Sequence, residues 1–191
     1  MRWSTFAAVA ILGLILQTTL APRLAVGGVR PDWVFVLVVF FGLYGARRDA
    51  WLAGWVLGLG ADLASIERMG LFAIAYCLVA VVVNAVRDMV FLKNPATHFS
   101  VTLAAGLLLQ AGLLGYRAVV YPNSMTLRHP AVLQAGCVAL YTALWAILIH
   151  HLMLKASQPL GLRTSRYTHR GLAGARRPDH ATRARTGGAH V

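Results

Sequence analysis

Charge is what this chain has least of. Only 13% of its 191 residues are Asp, Glu, Lys or Arg, about half the share found in an ordinary soluble domain. Cysteine is almost missing too. Cys77 and Cys137 both sit in apolar stretches, and no C-x-x-C or Cys/His spacing accompanies them, which excludes a disulfide framework and a zinc cluster. They read as small packing residues. The catalytic signatures are absent as well. No G-x-S-x-G elbow, H-E-x-x-H pair or glycine-rich phosphate loop occurs, so the chain offers no nucleophile, zinc or nucleotide motif. His150 and His151 are neighbours, about 100° apart on a helix, and do not converge as an i, i+4 pair would. They are expected to mark the inner end of a span. No catalytic residue, cofactor or metal ligand is therefore expected.

What is present is oil. Apolar residues make up 58% of the chain, the excess that a lipid-facing surface demands. They fall into six stretches, at about 3–21, 32–46, 50–66, 71–86, 99–121 and 131–154. The first has no charge and is just long enough, at about 1.5 Å per residue, to cover a hydrocarbon core of roughly 30 Å. A signal peptide is the competing reading, but the cleavage candidate Thr19-Leu20-Ala21 is followed by Pro22, so a retained anchor helix is expected. Gly27-Gly28 reads as a loose connection. Arg47-Arg48-Asp49 reads as a polar turn, and merging the stretches on either side would bury two adjacent arginines.

The basic residues set an orientation. With both termini cytoplasmic, the inner side receives thirteen Lys/Arg and the outer side five, as the positive-inside rule requires. Seven of the thirteen lie in residues 156–191, where arginines face a single acid, Asp179. That segment is expected to be a disordered cytoplasmic tail, held to anionic lipid at roughly 1 kcal/mol per near-surface arginine. Nucleic-acid binding is the weaker reading of the same tail. The chain thus divides into a six-span domain, 1–155, and a basic tail, 156–191.

Within the spans, polar and small residues carry the information. Pro31 pins the start of the second stretch and Asp32 is placed to cap it. Asp62 stands about 6 Å inside the end of the third stretch, where it could accept from backbone N–H groups or pair with Arg68. Gly54 and Gly58 form a small-xxx-small pattern that lets helix backbones approach closely, which makes the third stretch the candidate central element. Ala111 with Gly115 and Ala139 with Ala143 repeat that spacing. Asn84 and Arg87-Asp88 close the fourth stretch.

These features fall into one order: Pro31-Asp32, the basic pair Arg47-Arg48, Gly54, Gly58 and Gly60 leading to Asp62-Leu63, Gly70-Leu71 running to Tyr76, then Asn84 and Arg87-Asp88. In that order the chain resembles the MreD family, the small integral-membrane subunit of the bacterial rod-shape system, chiefly over residues 30–95. The resemblance implies a non-enzymatic scaffold of the inner membrane. It would bind MreC and help couple MreB filaments to the peptidoglycan synthases. It also implies a six-helix fold similar to the substrate-binding subunits of energy-coupling-factor transporters. Pro31, Asp32, Gly58, Asp62, Gly70 and Tyr76 sit on the family pattern; Gly54 and Arg87 join them as structural or partner-binding candidates. The charged turn Ser65–Met69 and the arginine-rich extension depart from it. The rival reading is a substrate-binding subunit of a vitamin-type transporter, disfavoured because polar residues in the spans are sparse. An intramembrane hydrolase is a third, without a nucleophile constellation.

Overall fold

The computed structural model describes residues 3–65, 68–87, 95–121 and 129–155. The arginine-rich tail lies outside the described residues, as do Glu67, Asp88 and Lys93 in the connections. The described residues form six helices: α1 (Trp3–Thr19), α2 (Trp33–Tyr44), α3 (Arg47–Ala64), α4 (Leu71–Val86), α5 (Pro95–Val120) and α6 (His129–Lys155). Two stretches, Ala96–Val120 and Pro130–Met153, are long and apolar enough to cross a membrane; α1, α2 and α4 are shorter apolar helices.

The central helix is α2, not α3. Its sequence, WVFVLVVFFGLY, is apolar on every side, the pattern of a helix with no solvated face. All of Trp33–Leu43 is buried, and α2 touches each of the other five helices. Phe6 of α1 meets Phe41 edge-on at 5.1 Å between ring centroids, and Phe35 lies 5.8 Å from Tyr76 of α4. The outer helices are inverted in character. Ile11, Leu12 and Ile15 of α1 are exposed, as are Leu107 and Leu108 of α5 and Leu140, Leu144 and Leu148 of α6. Oil faces outward as well as inward, which lipid tolerates and water does not.

What α3 supplies is closeness. It pairs with α4 more intimately than any other two helices. A Cβ added at Gly54 would stand 2.8 Å from the Tyr76 carbonyl oxygen, and one at Gly58 would stand 2.5 Å from Ala73 Cα. Both obstacles are backbone, so no rotamer change relieves them. The same logic holds between α5 and α6 at Ala139 and Ala143, both buried, with Ala139 against Gly106. It fails at Ala111 and Gly115, which face outward, with nothing within 4 Å of a Cβ at Gly115.

Other local expectations also change. Gly27 and Gly28 form a tight reversal with φ of 59° and 82°, closed by mutual hydrogen bonds between Val26 and Val29 of 3.1 and 3.0 Å. The conformation suits a two-residue hairpin turn, so this connection is pinned. Arg47, Arg48 and Asp49 belong to the first turn of α3; the reversal itself is Gly45-Ala46. The fifth helix starts at Pro95, a residue suited to a first helical position, and so takes in His98. Cys137 is exposed and not a packing residue, whereas Cys77 is half-buried.

Substitution should separate the two kinds of glycine. Gly58→Ala is expected to destabilise by about 1–3 kcal/mol through backbone overpacking. Gly112→Ala, with no atom within 4 Å of the new Cβ, should be neutral or stabilising by up to about 1 kcal/mol from helix propensity. Unfolding of the purified variants in detergent measures both.

Candidate functional site

The polar side chains gather at the two ends of α2. A helix leaves its first N–H and last C=O groups unsatisfied, and burial makes each one costly. Twelve residues rise only about 18 Å, so these ends lie inside the bundle and neighbouring helices must meet them.

At the N-terminal end the meeting point is Asp32. Its Oδ1 accepts from the Phe35 N–H at 2.9 Å, and its Oδ2 accepts from the Tyr76 hydroxyl of α4 at 2.5 Å. The Asp32 N–H donates to Thr142 Oγ1 of α6 at 3.0 Å. Gln17 of α1 completes the set. Its Oε1 accepts from the Trp33 N–H at 2.8 Å while its Nε2 donates to the Pro31 carbonyl at 3.3 Å. Four helices therefore converge on Pro31-Asp32. The capping role expected of Asp32 holds, and Tyr76 joins it through a bond that sequence spacing does not display.

One turn further out, Asp62 caps a different helix. Its carboxylate accepts from the Gly70, Phe72 and Ala73 N–H groups at 3.0, 2.9 and 3.0 Å. Those are donors at the start of α4, where a negative charge also suits the helix dipole. Gly70 holds φ at 96°, a left-handed conformation that a glycine adopts without penalty. Of the two roles open to Asp62, backbone capping is the one realised. Arg68 instead lies over the Tyr121 ring, 5.9 Å from its centroid, which ties the α3–α4 turn to the end of α5.

At the C-terminal end of α2, Asn84 Nδ2 donates to the Gly42 and Gly45 carbonyls at 2.8 and 3.3 Å. Arg87 Nη1 donates to the same Gly45 carbonyl at 2.5 Å. Beside them is a group that the sequence left scattered. His98 of α5 and His150 of α6 are both buried, with ring centroids 4.7 Å apart. Tyr44 bonds His98 Nε2 at 3.2 Å, and Phe40 meets His150 edge-on at 5.5 Å. His151, by contrast, is exposed.

The candidates thus separate into three groups. Pro31, Asp32 and Tyr76 form the first clamp, and Asp62 with Gly70 forms the α4 cap. Arg87 stands at the far end of α2 with Asn84. Gly54 and Gly58 bind these together by pressing α3 on the stretch of α4 between Phe72 and Tyr76. Chemically this arrangement holds backbone. Its donors and acceptors are matched to helix ends, and among the described residues no group of three or more His, Cys, Asp or Glu could hold a metal.

The two clamps should be energetically independent. Tyr76→Phe removes a buried donor from Asp32 and should cost about 1–2 kcal/mol; Asn84→Ala removes the side-chain donor to the Gly42 carbonyl and leaves Gly45 to Arg87 alone, and should cost about 1–3 kcal/mol. Because a whole helix separates them, the double variant should lose the sum within about 0.5 kcal/mol. Equilibrium unfolding of the two single variants and the double variant in mild detergent measures this.

Comparison with known proteins agrees with the resemblance and extends it. A family model described as MreD, rod shape-determining protein MreD, matches residues 1–158, which takes in α1, α5 and α6 as well as the region that carries the motifs. No curated protein and no solved structure matches. With 158 of 191 residues on the pattern, the chain belongs to the MreD family of membrane proteins that determine rod shape.

Proposed function

We propose that this chain is a non-catalytic scaffold of the cell-elongation machinery, spanning the bacterial inner membrane six times with both termini cytoplasmic. In this reading residues 1–155 are the membrane domain, similar in helix number to energy-coupling-factor substrate subunits. Residues 156–191 rest on anionic lipid, and no nucleic acid is involved. The domain binds an MreC-like protein and, through it, helps couple MreB filaments to peptidoglycan synthases. Family membership supports the rod-shape role.

The observation that carries the scaffold reading is the fate of the buried polar side chains at the motif residues. Asp32, Asp62, Tyr76, Asn84 and Gln17 all hydrogen-bond to helix ends or to one another. A transporter subunit needs polar groups converging on a cavity, whereas these tie helix ends together inside the bundle. The short α2 fits the membrane reading. Its ends fall short of a roughly 30 Å core, and backbone ends at such depth are tolerated where protein covers them. The Asp62 cap then lies at the outer ends of α3 and α4, the side on which a periplasmic partner would dock.

Removing that cap tests the docking proposal. Asp62→Ala should leave membrane insertion intact, lower capture of MreC in detergent co-purification by about tenfold, and round the cells. A loss of that size corresponds to about 1.4 kcal/mol, within the cost of uncapping a helix. Co-purification of an ATPase pair in place of MreC, or substrate uptake that vanishes with the substitution, would instead favour the transporter.

A further inference from the structure

Neither the clamps nor the α4 cap accounts for Arg68. It lies in the turn between α3 and α4, exposed, with its guanidinium over the Tyr121 ring at the end of α5, 5.9 Å from the centroid. The described residues include three carboxylates, Asp32, Asp49 and Asp62. Asp62, the nearest along the chain, spends both oxygens on the Gly70, Phe72 and Ala73 N–H groups. Asp32 is held by Phe35 and Tyr76, and Asp49 stands in the first turn of α3, at the far end of that helix. The same end of the bundle carries the three most exposed large apolar side chains among the described residues. These are Leu63 near the end of α3, Met69 beside Arg68, and Val119 just before Tyr121, at 74%, 72% and 81% exposure.

Apolar side chains this open are costly against water and at home against acyl chains. A guanidinium among them belongs where hydrocarbon gives way to headgroups, the depth at which long cationic side chains reach phosphate. Stacking on Tyr121 covers one face of the guanidinium plane and leaves its N–H donors at the edge. That fork matches two oxygens of a phosphate. The Asp62 cap fixes the turn, so the donors are positioned before anything binds. We propose that this rim is a site for an anionic phospholipid, with its phosphate on Arg68 and its acyl chains over Leu63, Met69 and Val119. Net negative charge is the property selected, because a zwitterionic headgroup brings its own cation and leaves Arg68 uncompensated. The site rests on the membrane-spanning reading above. It lies at the opposite end of the bundle from the α6 C-terminus, where the arginine-rich tail begins.

The test uses the full chain in phosphatidylcholine vesicles. With Cys77→Ser and Cys137→Ser in place, Met69→Cys carries a fluorophore at the site, and its quenching by brominated phosphatidylglycerol is compared with that by brominated phosphatidylcholine. The label reports only lipid close to it, so lipid gathered by the tail does not enter. The anionic lipid should be enriched at the label about fivefold, the equivalent of roughly 1 kcal/mol for one near-surface arginine. Arg68→Gln should bring the ratio close to one. Arg68→Lys, which keeps the charge without the stack, should keep the enrichment, and Arg48→Gln, at the other end of α3, should not change it. Unfolding in detergent shows that each variant is folded; if Cys77→Ser is not, Cys77→Ala takes its place. Equal quenching by the two lipids, or a ratio that Arg68→Gln leaves unchanged, overturns the lipid site and leaves the membrane reading standing. Absence of quenching by either lipid overturns both.

Discussion

Everything in this bundle follows from a central helix that is too short for its place. α2 is apolar on all sides and touches all five neighbours, so it cannot carry its own polar ends to an aqueous boundary. In the six-span arrangement proposed above, a rise of about 18 Å against a hydrocarbon core of about 30 Å would leave several ångströms to be made up at each end. The alternatives are an unsatisfied backbone, costing about 1–3 kcal/mol per group, or side chains from other helices placed to meet it. The second is what is found. Asp32, Gln17 and Thr142 serve the amino end; Asn84 and Arg87 serve the carboxyl end.

That requirement explains why small residues accompany the polar ones. Between helices in lipid there is no hydrophobic gain from association, since the displaced chains are as apolar as leucine. Packing contacts and hydrogen bonds remain, and both demand close backbones. Gly54 and Gly58 allow α3 to lie directly on α4, which fixes the position of Tyr76 relative to Asp32. A looser α3–α4 pair would shift Tyr76 by the width of a methyl group, enough to break a hydrogen bond of 2.5 Å. The glycines and the clamp are therefore one design, the first setting the geometry that the second uses.

How much of this the sequence reveals depends on the range of each interaction. The short-range features are legible. Asp32 before an apolar run announces a cap, because capping spans three residues. Asp62 near the end of one stretch, with Gly70 just before the next, implies a turn served by a carboxylate. The Gly54–Gly58 spacing identifies a close approach, though not its partner, and α2 takes the central place that the pattern assigned to α3. The long-range partners are invisible. Gln17 meets Pro31 and Trp33 from 14 and 16 residues before them, and Thr142 meets Asp32 from 110 residues after it; no local pattern distinguishes them from other polar residues in oil. His98 is hidden because the apolar run starts after it; the helix starts at Pro95 and carries it inside.

The same contacts determine how a load on one part of the domain reaches another. α5 and α6 are the longest helices and pack chiefly on each other. Their ties to α2 include Thr142 to the Asp32 N–H at one end and His150 against Phe40 at the other, with Trp145 stacked obliquely on Trp33 between them at 5.5 Å. A protein pulling on the α5–α6 pair would thus act on α2 near both clamps, and through Asp32 on Tyr76 and the α3–α4 pair. Packed cores transmit such displacements as discrete repacking and not as gradual bending. In the scaffold proposed above, stiffness of this kind would be useful in itself: it would let a partner held at one face sense a position set at the other without any chemistry between them.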